Sequence, residues 1–388
     1  MESTKRWLVL ASVLSSRVVY TINWFNISPA LPIIQSDLKI DQASIGLLTS
    51  SFLLGAGLFQ IPAGVLSSRW GPKNTSQLGM LTLSLSAIGE GVSPNFPILF
   101  TSRFLLGIGA ALFFAPAIGV LTPLFKHDEE GFVMGLYSAM FNVGGGLGLF
   151  AWAFLVEVWN WHVALVLGGI IGLVLVMFGQ VVIPKDVQVL HQPGSMGVAL
   201  RSRNIMLISF GIIGIWGGIF TTSQFLPKFL GEVYQVPTGQ AGLIASLIMF
   251  AAILGGPVGG RASDLLRQRK VFMLIPGFAV ALGLALIGIA PPDQMWLLIP
   301  IIGFMDAIVF SIEYASASQF PEVGQKYASL AISFMNSAQI LGSFGVPIVF
   351  AILGYPLGWY FLGGVAAATL LLVFWIQEPF KANGQGLG

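Results

Sequence analysis

Apolar runs of membrane-crossing length follow one another along the whole chain, separated by short polar stretches. Twelve spans are predicted, at about 7–34, 44–66, 75–93, 97–122, 132–157, 161–183, 204–230, 238–262, 271–290, 294–318, 327–353 and 355–377. At about 1.5 Å per residue, each is long enough as a helix to cross a hydrocarbon core about 30 Å thick. The longest connection, 184–203, carries Lys185, Asp186, His191, Gln192, Pro193, Gly194, Arg201 and Arg203 and reads as a hinge-like cytoplasmic linker. The pattern therefore predicts an all-α membrane protein of twelve transmembrane helices in two pseudo-symmetric six-helix bundles. They occupy 1–183 and 204–388, with the linker between.

Composition narrows the class. Of 388 residues, 55% are hydrophobic and 9% charged, and the mean hydropathy is +0.86. A soluble domain has about 25% charged residues, so the solvent for this surface is lipid. A net charge of +2 gives no ground for a nucleic-acid partner. The absence of cysteine removes disulfides and thiolate metal sites. No phosphate-binding loop and no hydrolytic constellation is present, so neither an enzyme nor a cofactor is expected. The 48 glycines and 21 prolines suit close packing and broken helices in a membrane. Met1–Arg6 reads as the approach to a retained first span rather than as a cleaved leader.

The basic residues orient the spans. Fourteen of the 18 Lys and Arg fall on one side: Lys5, Arg6, Arg69, Lys73, Lys126, Lys185, Arg201, Arg203, Arg261, Arg267, Arg269, Lys270, Lys326 and Lys381. Lys39 and Lys228 fall on the other, and Arg17 and Arg103 lie within spans. The positive-inside rule then makes both termini and the linker cytoplasmic, with the plasma membrane as the expected location.

An internal duplication supports the split into halves. After span two comes Gly64-Val65-Leu66-Ser67-Ser68-Arg69-Trp70-Gly71-Pro72-Lys73. After span eight comes Gly260-Arg261-Ala262-Ser263-Asp264-Leu265-Leu266-Arg267-Gln268-Arg269-Lys270. Each is a glycine at a helix end followed by a basic turn.

With these residues the chain resembles the major facilitator superfamily over essentially its whole length. The signature of that family after helix two reads approximately G-x-L-x-D-R-x-G-R-K. Gly64, Leu66, Arg69, Gly71 and Lys73 match it, with Ser68 in the acidic position. The second copy keeps the acid as Asp264, with Arg267 near it. Arg103, Gly107 and Gly109 match a helix-four signature R-x-x-x-G-x-G. Asn142-Val143-Gly144-Gly145-Gly146-Leu147-Gly148 echoes a glycine-rich helix five. The run Ile22–Pro32 resembles the first helix of anion:cation symporters, though their Asp-Arg pair is replaced by Asn23 and Trp24, and Gln60–Gly64 resembles that group and nitrate and cyanate carriers, with Gln60 where nitrate carriers usually show an arginine. The resemblance implies a monomeric secondary transporter working by alternating access, with protons, membrane lipid and a small anion as its partners.

Arg17 carries most of the functional reading. It lies about ten residues into the first span, roughly 15 Å deep, where a bare cation costs at least about 2.5–3.5 kcal/mol. It is either a structural cation or a substrate-anion anchor. Tyr20, Thr21, Trp24 and Ser28 follow at helical steps and put polar and aromatic groups on its stripe. For Arg103 the resemblance implies proton coupling or anion binding, against a role in packing helix four. Asp306 and Glu313, seven apart on span ten, are candidates for proton coupling or for charge partners of Arg17 or Arg103. Glu313 has a second reading as a tether of the cytoplasmic loop that carries Arg261 and Arg267, and Glu322 is expected to be such a tether. Asn142, Gln224, Asn336 and Gln339 lie within spans and could bind substrate or a neighbouring helix; Trp24 and Trp216 could line a cavity or pack. Gly64, Arg69, Gly71, Lys73, Asp264, Arg267 and Glu322 are the candidate gating-loop residues. Glu90, Glu157, Lys228 and Glu232 are expected at solvated outer interfaces, and His162 beside Trp159 and Trp161 as an interfacial anchor. A proton-coupled exporter of hydrophobic compounds, a carrier of a neutral solute such as a sugar, and a non-transporting receptor or scaffold remain the alternatives.

Overall fold

The computed structural model describes residues 3–125, 127–184 and 201–382. Lys126, Lys185, the side chains of Lys326 and Lys381, and 185–200 of the expected linker lie outside the described residues. The helices are α1 (Ser3–Phe25), α2 (Leu31–Asp37), α3 (Gln42–Trp70), α4 (Pro72–Gly91), α5 (Phe96–Leu121), α6 (His127–Val158) and α7 (Trp161–Val182). They continue as α8 (Arg203–Gly211), α9 (Ile213–Tyr234), α10 (Thr238–Leu266), α11 (Arg269–Ile287), α12 (Pro292–Ala317), α13 (Gly324–Gly342), α14 (Gly345–Leu353) and α15 (Leu357–Leu370). These account for the twelve predicted spans, because α1 with α2, α8 with α9, and α13 with α14 are broken single spans.

The first break has a covalent cause. After Phe25 the chain passes through a 3-10 turn, Ser28–Ala30, and restarts at Leu31. Pro29 and Pro32 have no N–H to continue the ladder. Among the described residues eleven stretches are long and apolar enough to cross a membrane, and α4 is the span left out. Its polar residues explain this: α4 packs on α5 and α7 and buries Thr75, Ser76, Gln77 and Ser84, so they meet protein and not lipid.

Polar caps begin many of the helices. Asn95 accepts from Ile98 N, Asn160 from Val163 N, and Ser202 Oγ from Ile205 N. Asp41 accepts from Ser44 N at 2.8 Å, and these bonds hold its exposed carboxyl below the usual range. The turn between α3 and α4 requires Gly71, whose φ is +89°.

The chain divides into two compact units. One comprises Met1–Gln192 and Gln235–Ser246, the other Pro193–Tyr234 and Leu247–Gly388. In the first unit, glycines let helices touch backbone to backbone. A Cβ on Gly107 would lie 2.8 Å from Ala56 N on α3, and one on Gly109 would lie 2.5 Å from Leu83 N on α4. The two glycines of the helix-four signature are therefore the contact points of α5 with its neighbours. Gly144 and Gly148 do the same for α6 on α1, facing the carbonyls of Val18 and Ile22. In the second unit, Phe225, Phe229, Phe350, Tyr355 and Trp359 form an aromatic cluster joining α9, α14 and α15.

Candidate functional site

Arg17 is 5% exposed and sits inside a cage of four rings. Its guanidinium carbon lies 4.7 Å from the centre of Tyr20, 5.0 Å from Phe114, 4.5 Å from Tyr137 and 4.9 Å from Phe141. The rings come from α1, α5 and α6, so the cage belongs to the first unit. The close α1–α6 approach at Gly144 brings Tyr137 and Phe141 to the arginine. A buried cation–ring contact is worth about 1–2 kcal/mol. Four of them offset part of the cost of holding a guanidinium at this depth. Among the described residues Arg17 has no ion pair, and its buried Nε and Nη1 have no hydrogen-bond acceptor. Tyr20 and Tyr137 are buried, whereas Phe114 and Phe141 keep partial exposure.

The residues of the stripe predicted for α1 have separate partners. Tyr20 belongs to the cage. Trp24 packs between Tyr20, Phe52 and Phe141 at 5.2, 4.5 and 5.5 Å. Thr21 Oγ1 turns back to Arg17 O. Asn142 is half-buried on α6 next to Phe141.

Arg103 is held differently. It is fully buried; Nη1 donates to Asn23 O at 3.0 Å and Nη2 to Trp24 O at 2.5 Å. Glu90 on α4, also fully buried, pairs with Nη1 at 3.4 Å. Arg103 thus binds the carbonyls freed where α1 ends, and its charge is matched within its own unit rather than by an acid of span ten. This corrects the expectation for Glu90, which is not at a solvated interface. Lys228 is a second correction: it is 1% exposed and pairs with Glu232 one turn on. Hydropathy places both near helix ends, but the partners that pair with them, Arg103 and Glu232, are invisible to it. Glu157 is exposed as expected and accepts from Gly239 N at 3.0 Å. His162 stacks on Trp161 and contacts Gly91 O, while the Trp161 indole is buried and donates to Asp37 Oδ2 at 2.8 Å.

The second unit carries a polar cluster on α12 and α13. Glu313 is fully buried and accepts from Gln339 Nε2 at 3.0 Å, leaving Glu313 Oε1 and Gln339 Oε1 without a donor. Asp306 is 8% exposed, and its Oδ1 also has no donor. Among the described residues of this unit neither acid pairs with a basic side chain, and Glu313 does not tether the loop. Asn336 Oδ1 meets Tyr314 Oη at 3.5 Å. Gln224 is fully buried on α9, and Trp216 stacks on Phe220 at 5.6 Å.

The loop residues sort into anchors and solvent-facing groups. Lys73 Nζ donates to Gln180 O at 3.1 Å and to Ile183 O, capping the carbonyl end of α7. Gly64 and Arg69 are exposed. Asp264 pairs with Arg269, at 2.6 Å, while the nearby Arg267 is exposed in a left-handed turn at φ +51°. Arg269 also reaches Ser263 and Gln319. Glu378 accepts from the N–H groups of Arg269 and Lys270, at 2.7 and 3.0 Å, and so caps α11. Glu322 is a tether, but to Ser202 and Asn204 at the start of α8, at 2.7 and 3.1 Å, not to the loop of Arg261 and Arg267. Sequence reasoning missed Phe114, Tyr137, Phe141, Arg269 and Glu378. The aromatic i, i+4 pair Tyr137 and Phe141 was a signal that hydropathy absorbed as packing.

Twelve spans with charged groups held inside them are the build of a multi-pass membrane transporter. The chain belongs to the Major Facilitator Superfamily, whose profile matches residues 13–347. It is 26% identical to the nitrite extrusion protein of Bacillus subtilis strain 168, over 93% of this chain and 92% of that protein. It is 24% identical to a probable sulfoacetate transporter of Cupriavidus necator, over 94% and 91%. In fold it is similar to the crystal structure of a D-xylose-proton symporter, with a TM-score of 0.79 and 14% identity over 97% of this chain and 99% of that one.

Proposed function

We propose that this protein carries a small organic or inorganic anion across the plasma membrane by alternating access of its halves 1–183 and 204–388, coupled to proton movement. The observation that carries the reading is Arg17: a buried guanidinium packed among rings, with no hydrogen-bond acceptor on Nε or Nη1 and no acid partner among the described residues. An oxyanion supplies the acceptors and the countercharge that this group lacks. The names of relatives that handle nitrite and sulfoacetate support an anionic cargo.

Arg103 serves as a positioning group, because every one of its bonds goes to Glu90 or to the backbone of α1. Proton coupling rests on Asp306, with Glu313 assisting, since both are buried acids without a cation among the described residues of their unit. Protonation removes a charge that the span tolerates poorly. Further candidate substrate-binding residues are Trp24 and Asn142 in the first unit and Trp216, Gln224, Asn336 and Gln339 in the second. Gly64, Arg69, Gly71, Lys73, Asp264, Arg267 and Glu322 serve the cytoplasmic loops. The basic-residue asymmetry supports cytoplasmic termini, and the carrier acts as a monomer.

The test is flux into proteoliposomes of the purified protein, offered nitrate, nitrite, monocarboxylates, sulfoacetate, neutral sugars and lipophilic cations. Saturable anion flux that responds to an imposed pH gradient is the expected result. Flux confined to sugars or lipophilic cations would refute the anion reading, and no flux of any solute would favour a receptor or scaffold.

A further inference from the structure

Five basic side chains are buried among the described residues: Arg17, Lys73, Arg103, Lys228 and Arg269. Four have partners within their own unit. Lys73 holds the carbonyls of Gln180 and Ile183, Arg103 holds Glu90, Lys228 holds Glu232, and Arg269 holds Asp264. Arg17 alone of the five has neither a carboxylate nor a carbonyl on its guanidinium. Asp306 and Glu313, the buried acids without cations, add no positive charge.

We infer that the site selects for charge as well as for sign: it takes monovalent, weakly hydrated oxyanions of the size of nitrate, nitrite or formate and rejects dianions. This inference rests on the anion-carrier reading and narrows it. One unmatched guanidinium neutralises one negative charge. For the second charge of a dianion in this low-dielectric cage, the described residues hold no other buried cation that is unmatched. Hydration acts in the same direction. The walls around the guanidinium are the rings of Tyr20, Phe114, Tyr137 and Phe141, which cannot replace the water shell of sulfate or of a dicarboxylate. A weakly hydrated monoanion loses less on entering such a site.

The experiment is calorimetric titration of the purified protein at constant ionic strength and pH 7 with sodium nitrate, nitrite, formate, sulfate, malonate and sulfoacetate. Monoanions are expected to bind at least about tenfold more tightly than dianions of similar size, a difference of about 1.4 kcal/mol. In Phe141→Arg, which places a second cation in the cage, the preference should move toward the dianions. Equal or tighter binding of dianions by the unaltered protein would overturn the inference and leave the anion-carrier reading standing. Binding of no anion at all would overturn both.

Discussion

The Tyr137 ring centre lies 4.5 Å from the guanidinium carbon of Arg17, although the two residues sit on different spans, α6 and α1. Its hydroxyl is committed elsewhere, donating to Phe114 O at 2.9 Å. The ring therefore acts on Arg17 as a face. Tyr137→Phe should leave anion affinity within about threefold, whereas Tyr137→Leu should weaken it by about tenfold. Titration of the two purified variants checks this; equal affinities would remove the ring from the account.

Glu90 and Arg103 form a buried pair whose loss is a stability event. Removing one partner of such a pair costs about 3–5 kcal/mol, so Glu90→Ala should lower the melting temperature sharply, and the surviving folded protein should still bind anion. The check is thermal unfolding in detergent alongside titration. An unchanged melting temperature with lost anion binding would put the pair in the substrate site.

Gly144 tests whether helix approach builds the cage. Any side chain there meets the Val18 carbonyl, one residue beyond Arg17, so Gly144→Leu should push α6 off α1 and weaken anion binding. Gly135 on the same helix has open space beside it, and Gly135→Leu should bind anion as the parent does. Equal effects of the two substitutions, measured by titration, would dissociate the cage from the α1–α6 contact.

Asp306 carries the coupling proposal. Asp306→Asn should retain anion exchange between equal compartments yet lose accumulation driven by a pH gradient. Proteoliposome flux under the two conditions separates these. If the variant still concentrates anion against its gradient, the coupling proton resides elsewhere.

Hydropathy made the twelve spans legible to within a turn or two at their ends, since lipid fixes both length and polarity of a crossing helix. α4 shows its limit: its polar face is buried against protein and reads as weakly apolar. The helix breaks after Phe25, at Ile212 and after Gly342 were not predicted, because in a window of hydropathy a broken span and a whole one look alike. Arg17 was legible by its depth and Tyr20 by its spacing. Phe114, Tyr137 and Phe141 were not, because they reach the arginine from helices more than ninety residues away in sequence. Pairing was the least legible feature. The chain turns in a left-handed conformation at Arg267 and brings Arg269 to Asp264, a pairing that spacing alone does not reveal.

Calorimetric titration of nitrate and nitrite into the parent protein, Arg17→Lys and Arg17→Gln measures the central claim. Saturable binding by the parent is expected, with weaker binding by the lysine variant, which keeps the charge but not the guanidinium fork, and none by folded Arg17→Gln. Affinity in Arg17→Gln equal to that of the parent would contradict that claim.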